Sequence, residues 1–341
     1  MQTLSESIFG DIAQLEVTKQ NFIILDKTTH SILIFSKDGG FQAKISGKRT
    51  GNFSYNEMAG EIGFQDFDSA TDYLYYNLEG KFIRKEVRKF LFYDIAFLNE
   101  EIRAFYRNSY YSKLDESWFP TSNLRFSNLL IEREQRDIEG AFLSFDTTAL
   151  NYNECYTTQK NFYKINNDYY FIQPYNYNIY KVKEDEIASI FQFSFPKQNS
   201  LPNDFLTNRN FKSKRLKFLM DNPQVYYSID NFSFVNNKLF FNLLTTNSTN
   251  IFFYDLAERE LHSFNNILSA ENSFFLPIGE RLNASYGESI FCSVSAAYLF
   301  EAKKLVEMKN KGKKFPSTLT KFFENFNPKS NPIVIQLFLK S

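Results

Sequence analysis

The stretch NFIILDKTTHSILIFSKDGGF, residues 21–41, sets apolar runs of strand length around a polar break and closes on a Lys-Asp-Gly-Gly turn. Asn21 to Leu25 reads as a strand, Asp26 to Thr29 as a turn, and Ser31 to Phe35 as a second strand. Lys37 to Gly40 then turns again, and Phe41 to Ile45 is a third strand. The cadence returns at YLYYNLEGKFIRK (73–85), where Leu-Glu-Gly-Lys-Phe takes the place of Lys-Asp-Gly-Gly-Phe. It recurs more loosely at YDIAFLNEEIRAFYRN, LRFSNLLIEREQRDIEGAF, NFYKINNDYYFIQPYNYNIYKV and NFSFVNNKLFFNLLTTNSTNIFFYDLAERELHSF. In each, Asn, Asp or Gly stands at the hairpin positions between apolar runs.

Recurrence at intervals of tens of residues means meanders stacked as units. A lone meander leaves one face uncovered and its edges unpaired, so the units must pack side by side. Four-stranded blades arranged radially satisfy both needs, with a β-sandwich as the structural alternative. The expected fold is therefore an all-β propeller of four-stranded blades, forming a single domain over 1–341.

One segment breaks the pattern. From Val294 to Phe326, Tyr298, Ala302, Leu305 and Met308 form a helical stripe, and Leu319, Phe322 and Phe323 mark one face of a second short helix beyond Gly312 and Pro316. This helical insertion, 294–326, precedes a closing strand at 332–340, which is expected to pair into the first blade.

The 40 Phe and 21 Tyr, against one Trp, suit half-buried pleated surfaces. Lys plus Arg and Asp plus Glu are equal at 39 each, so no global field draws nucleic acid or an anionic membrane. The basic run Lys303 to Lys314 reads as a solvated helix face. Cys155 and Cys292 are far apart and in no zinc spacing; they read as small buried hydrophobes. The start, MQTLSESIFGDIAQLEV, has no basic n-region or long apolar stretch, and no segment has the run of about 20 apolar residues that spans a bilayer. An AT-biased composition makes the sequons at Asn52, Asn231, Asn247 and Asn283 chance matches rather than glycan sites.

Several segments together, NFIILDKTTHSILIFSKDGGF, SGKRTGNFSYNEM leading into FQDFD, NDYYFIQPYNYNIYKV, LPNDF, NFSFVNNKLFFN, FFLPIG and NPIVIQLFLK, resemble a six-bladed β-propeller family of Bacteroidetes. That family is similar in architecture to NHL-repeat propellers. The resemblance implies export to the periplasm or cell envelope, commonly as a lipoprotein, and a binding role with no established activity; the absence of a signal peptide from this start leaves the cytoplasm open. Two departures stand out. A first strand upstream of Gly10-Asp11 is missing or shortened, and the passage from Asp68 straight to Tyr73 implies a blade short of one strand.

Chemistry is thinly signalled. His30 sits in a polar turn and His262 on a distant strand, with no nucleophile elbow around any serine. Asp66, Asp68, Asp94 and Glu100 are candidate carboxylates, read as turn formers and surface groups. DFDSATD lacks the Gly and terminal Glu of a calcium loop, and no phosphate-cradling motif appears, so no metal or cofactor is expected. The expected function is a non-enzymatic binding module for a glycan or protein ligand, using Tyr110, Tyr111, Trp118, Tyr175 and Tyr177 on inter-strand loops. The alternative is a carbohydrate-active hydrolase or lyase with carboxylates facing the channel.

Overall fold

The computed structural model describes residues 1, 4–46, 50–66, 68–69, 71–88, 90–109, 119, 121–133, 137–147, 160–264, 267, 276–279, 281–309 and 314–339. Its sheets follow one another along the chain as six antiparallel blades, and the fold is an all-β six-bladed propeller.

The first blade holds β1 (Gln14–Val17), β2 (Asn21–Asp26), β3 (Ser31–Ser36) and β4 (Phe41–Ile45). The second holds β5 (Ser54–Asn56), β6 (Glu61–Gln65), β7 (Asp72–Asn77) and β8 (Phe82–Val87). The third holds β9 (Asp94–Phe97), β10 (Ile102–Tyr106), β11 (Ser127–Arg133) and β12 (Asp137–Ser144). The fourth runs β13 (Phe162–Ile165), β14 (Asp168–Phe171), β15 (Asn178–Val182) and β16 (Ile187–Gln192). The fifth runs β17 (Ser228–Val235), β18 (Lys238–Leu244), β19 (Thr249–Asp255) and β20 (Glu260–Ser263). The sixth has three strands among the described residues, β21 (Arg281–Tyr286), β22 (Ser289–Val294) and β23 (Ile333–Phe338).

Position within a blade explains composition. Second strands such as NFIILD are buried at every residue, because sheet neighbours cover both edges and packed layers cover both faces. The outermost strand of the second blade, FIRKEV, is exposed along most of its length, and its Arg, Lys and Glu blunt an edge that would otherwise invite pairing.

Two expectations are corrected. The DFD passage does not cost the second blade a strand, since EIGFQ forms β6 between β5 and β7. Its glycine hides the strand in the sequence. At Gly63 an added Cβ would lie 2.5 Å from a ring carbon of Tyr73 and 2.8 Å from its hydroxyl, so the tyrosine ring fills the space that a side chain would take. Among the described residues no strand lies upstream of Gly10-Asp11; the first blade begins just after it, where Gln14–Val17 pairs with Phe22–Leu25. Finally, the terminal strand does not join the first blade. It runs antiparallel to β22, from Val294 opposite Ile333 to Ser289 opposite Phe338, because the helical insertion returns the chain beside the strand it left. Among the described residues, the blade with three strands is thus the last.

The helices fall at 296–309 and 317–325, within the expected insertion. The stripe read from sequence is not the buried one. Leu299, Ala302 and Val306 pack with Leu319, Phe322 and Phe323, whereas Tyr298, Leu305 and Met308 are exposed. Both faces carry apolar residues, so periodicity alone selected the wrong one.

The chain divides into two compact units. One comprises 1–47, 233–241 and 251–341; the other comprises 48–232 and 242–250. In the first unit, Asn331 ties the chain ends together, accepting from Phe9 N at 3.1 Å and donating to Ser7 O at 2.8 Å. Phe22 meets Phe291 edge-on with 5.7 Å between centroids. Arg281 donates to Ile12 O at 3.4 Å.

In the second unit the first strands of successive blades are stitched together. Ser54 donates to Ile95 O at 2.6 Å, Asp94 accepts from Asn161 N at 2.8 Å, and Tyr163 donates to Asp230 at 3.1 Å. Further out, Arg88 and Glu132, both buried, pair at 2.7 Å. Glu86 is shared by Arg88 and Arg103, each at 2.9 Å. Among the described residues, no helix is long and apolar enough to cross a membrane.

Candidate functional site

Alternating strand direction sends the connections of a blade to its two ends. Connections from first to second and from third to fourth strand are tight turns, as at 57–60, 78–81, 98–101, 166–167 and 183–186 in the second unit. Long excursions fall at the other strand ends, where second strands lead to third and fourth strands lead to the next blade: 107–126, 145–161 and 193–227. The first unit follows the same rule, with its helical insertion between second and third strands. Chain that packing of the blades does not require is concentrated where propellers can hold loops over a rigid base.

In the second unit these excursions are seated by buried polar anchors. Arg107, 1% exposed, donates to Arg125 O at 2.8 Å and Leu124 O at 3.2 Å, with its guanidinium 5.0 Å from the Phe119 ring. It fastens the far end of the excursion back to its start. Asn128 donates to Ser109 Oγ at 3.2 Å and to Gln173 Oε1 at 3.3 Å, linking this segment to the turn of the fourth blade. Arg215, fully buried, donates to Phe205 O at 2.9 Å and Leu206 O at 3.2 Å and so closes the 193–227 excursion. A buried arginine satisfied by carbonyls fixes loop geometry, because loosening the loop would strand a charge. Asn108, Ser109 and Tyr175 have positive φ here, at 50°, 57° and 61°. For tyrosine this conformation is costly, and it is held by Tyr175 N donating to Tyr227 O at 2.7 Å.

The residues singled out in the sequence fall into two groups. Tyr110, Tyr111 and Trp118 lie outside the described residues; Ser109 and Phe119, which bound their segment, are anchored as above. Tyr175 is 8% exposed and meets Phe205 at 5.4 Å within a cluster that includes Leu201, Leu219 and Val225. Tyr177 is half-buried. Its hydroxyl donates to Tyr226 O at 2.6 Å and accepts from Leu201 N at 2.8 Å, and burial pushes its pKa up to about 12. Both rings occupy the seat of the 193–227 excursion.

Among the carboxylates, Asp66 accepts from Asp68 N at 3.2 Å within its own turn, as read from the sequence. Asp94 is different from a surface group. It is 4% exposed, accepts from Asn161 N and Ile95 N at 2.8 and 2.9 Å, and burial pushes its pKa up to about 6. His30 sits at φ 50° in its turn, and His262 lies 3.5 Å from Glu260 on an outer strand. Cys292 is free and buried, with its thiol pushed up to about 12 by that burial, while Cys155 lies outside the described residues.

Sequence reasoning missed Arg107, Asn128, Gln173 and Arg215. Arg215 stands in FKSKRLKFLM, where it looks like one member of a surface basic run. Only the fold distinguishes it from Lys214 and Lys217.

Compared with known families, residues 1–337 match one described as a domain of unknown function, DUF4934. The chain belongs to that family. No curated protein matches it. Among solved structures it is similar to a presumed exported protein from Bacteroides fragilis, at 19% identity and a TM-score of 0.74, covering 100% of this chain and 94% of the other. At that identity the likeness shows the shared fold. A protein of unknown function from Bacteroides caccae is 7% identical with a TM-score of 0.42, covering 72% and 77% of the two chains. AztD from Citrobacter koseri is 10% identical with a TM-score of 0.37, covering 74% and 61%.

Proposed function

We propose that this member of the DUF4934 family is a non-catalytic recognition module of the periplasm or cell envelope. In this reading it binds a glycan or protein ligand through the aromatic segment 110–118. Tyr110, Tyr111, Trp118, Tyr175 and Tyr177 are the ligand-binding residues in this reading, the last two from the base of the 193–227 excursion. One observation carries the reading: buried polar anchors hold the described chain on either side of segment 110–118, through Arg107 and Asn128, and the 193–227 excursion, through Arg215. Anchored flanks lower the entropy cost of ordering a site between them, and aromatic rings give large contact area with few rotatable bonds. Placement outside the cytoplasm is supported by the presumed export of the Bacteroides fragilis protein.

The test is binding of the full chain to a glycan array, with envelope protein pull-down as the second arm. In whichever arm binds, Trp118→Ala combined with Tyr110→Ala should lower binding at least about tenfold without changing the melting temperature. Binding unchanged in the double variant removes segment 110–118 from the site. Binding in neither arm contradicts the recognition role itself.

The catalytic alternative needs a carboxyl group free to exchange a proton with substrate. Asp94, whose neutral form burial favours, is engaged by backbone N–H groups of its own and the following blade, which is the work of a latch.

A further inference from the structure

Within the first unit, the turn after β3 and the hairpin between β21 and β22 bring a lysine and three aromatic rings together. Lys37 Nζ lies 4.5 Å from the centroid of Phe22, 4.9 Å from Tyr286 and 5.3 Å from Phe291. Phe22 and Phe291 are buried and form the floor; Tyr286 is 40% exposed and forms the outer wall. All three distances are within the range in which the negative face of a ring attracts a cation.

The occupant fits only in part. A primary ammonium carries three N–H donors, and aromatic faces offer them no lone pairs. Among the described residues no carboxylate or carbonyl accepts from Lys37 Nζ, and burial holds its pKa below the usual lysine value. Lys37 is also an exposed residue of a turn, so among the described residues swinging its side chain into water breaks no ion pair or hydrogen bond of that amine. A quaternary ammonium has no N–H donors to leave unsatisfied and presents apolar methyl groups to the rings.

We propose that Phe22, Tyr286 and Phe291 form a binding site for a quaternary ammonium group, which Lys37 fills in the free protein and vacates for the ligand. The site is built from strands and hairpins of the first unit and is independent of the recognition role assigned to segment 110–118.

Choline is the probe and ethanolamine its control, titrated into the full chain by calorimetry. Lys37→Ala should bind choline about tenfold more tightly than the unaltered protein, since the internal competitor is gone, and should favour choline over ethanolamine by a similar factor. Adding Tyr286→Leu, which keeps apolar bulk but removes the ring face, should abolish that gain. Lys37→Ser repeats the first measurement, and a melting temperature near that of the unaltered protein shows that each variant is folded. No choline binding to folded Lys37→Ala and Lys37→Ser, equal affinity for choline and ethanolamine, or affinity indifferent to Tyr286→Leu would each overturn the proposal.

Discussion

At the residue scale, the molecule relies on polar groups in places where sequence suggested surface. Asp94 shows this most clearly. Its folded pKa is raised from 3.8 to about 6 by burial. A raised folded pKa means that the group's favourable contribution is complete below the unfolded value near 4 and is lost as pH rises through about 6. A shift of that size corresponds to about 3 kcal/mol. Asp94→Asn abolishes the titration. The difference in unfolding free energy, unaltered protein minus variant, should therefore fall by about 2 kcal/mol between pH 4 and pH 7 in denaturant titrations. A difference independent of pH would show that burial does not raise the Asp94 pKa. Gly63 makes the complementary point: its missing side chain is what admits the Tyr73 ring.

For single elements, the helix at 296–309 separates pattern from packing. Leu299 is buried with Val294 and Leu276, while Leu305 is 56% exposed. Leu299→Ala should cost about 2–4 kcal/mol, the usual penalty for emptying a filled core position. Leu305→Ala should change stability by less than about 0.5 kcal/mol. Chemical denaturation of the two variants compares them directly, and equal costs would mean that the helix rests on its other face. The same contrast explains what the sequence revealed. Strand pairs with Asn or Gly hairpins were legible because short apolar runs and turn chemistry are local. β6 was not, because Gly63 interrupts its apolar run for the sake of a residue in the neighbouring strand. Which face of the helix is buried was also hidden, since both faces offer apolar side chains.

At the scale of the whole molecule, repetition made the blade architecture legible, and the six successive sheets agree with that reading. The distribution of excursions was less visible, because it requires knowing which strand of a blade each loop follows. Of the candidate site, the aromatic segment could be named from its composition. Its anchors could not, because Arg107, Asn128 and Arg215 act through carbonyls and amides distant in sequence or concealed in basic runs. The central claim is that recognition belongs to these anchored strand ends. Hydrogen exchange on the full chain, with and without a ligand selected in the array or pull-down, tests it most directly. The expected result is protection concentrated in 106–126, 172–178 and 193–227. Protection confined to the tight turns at 57–60, 98–101 and 183–186 would contradict it.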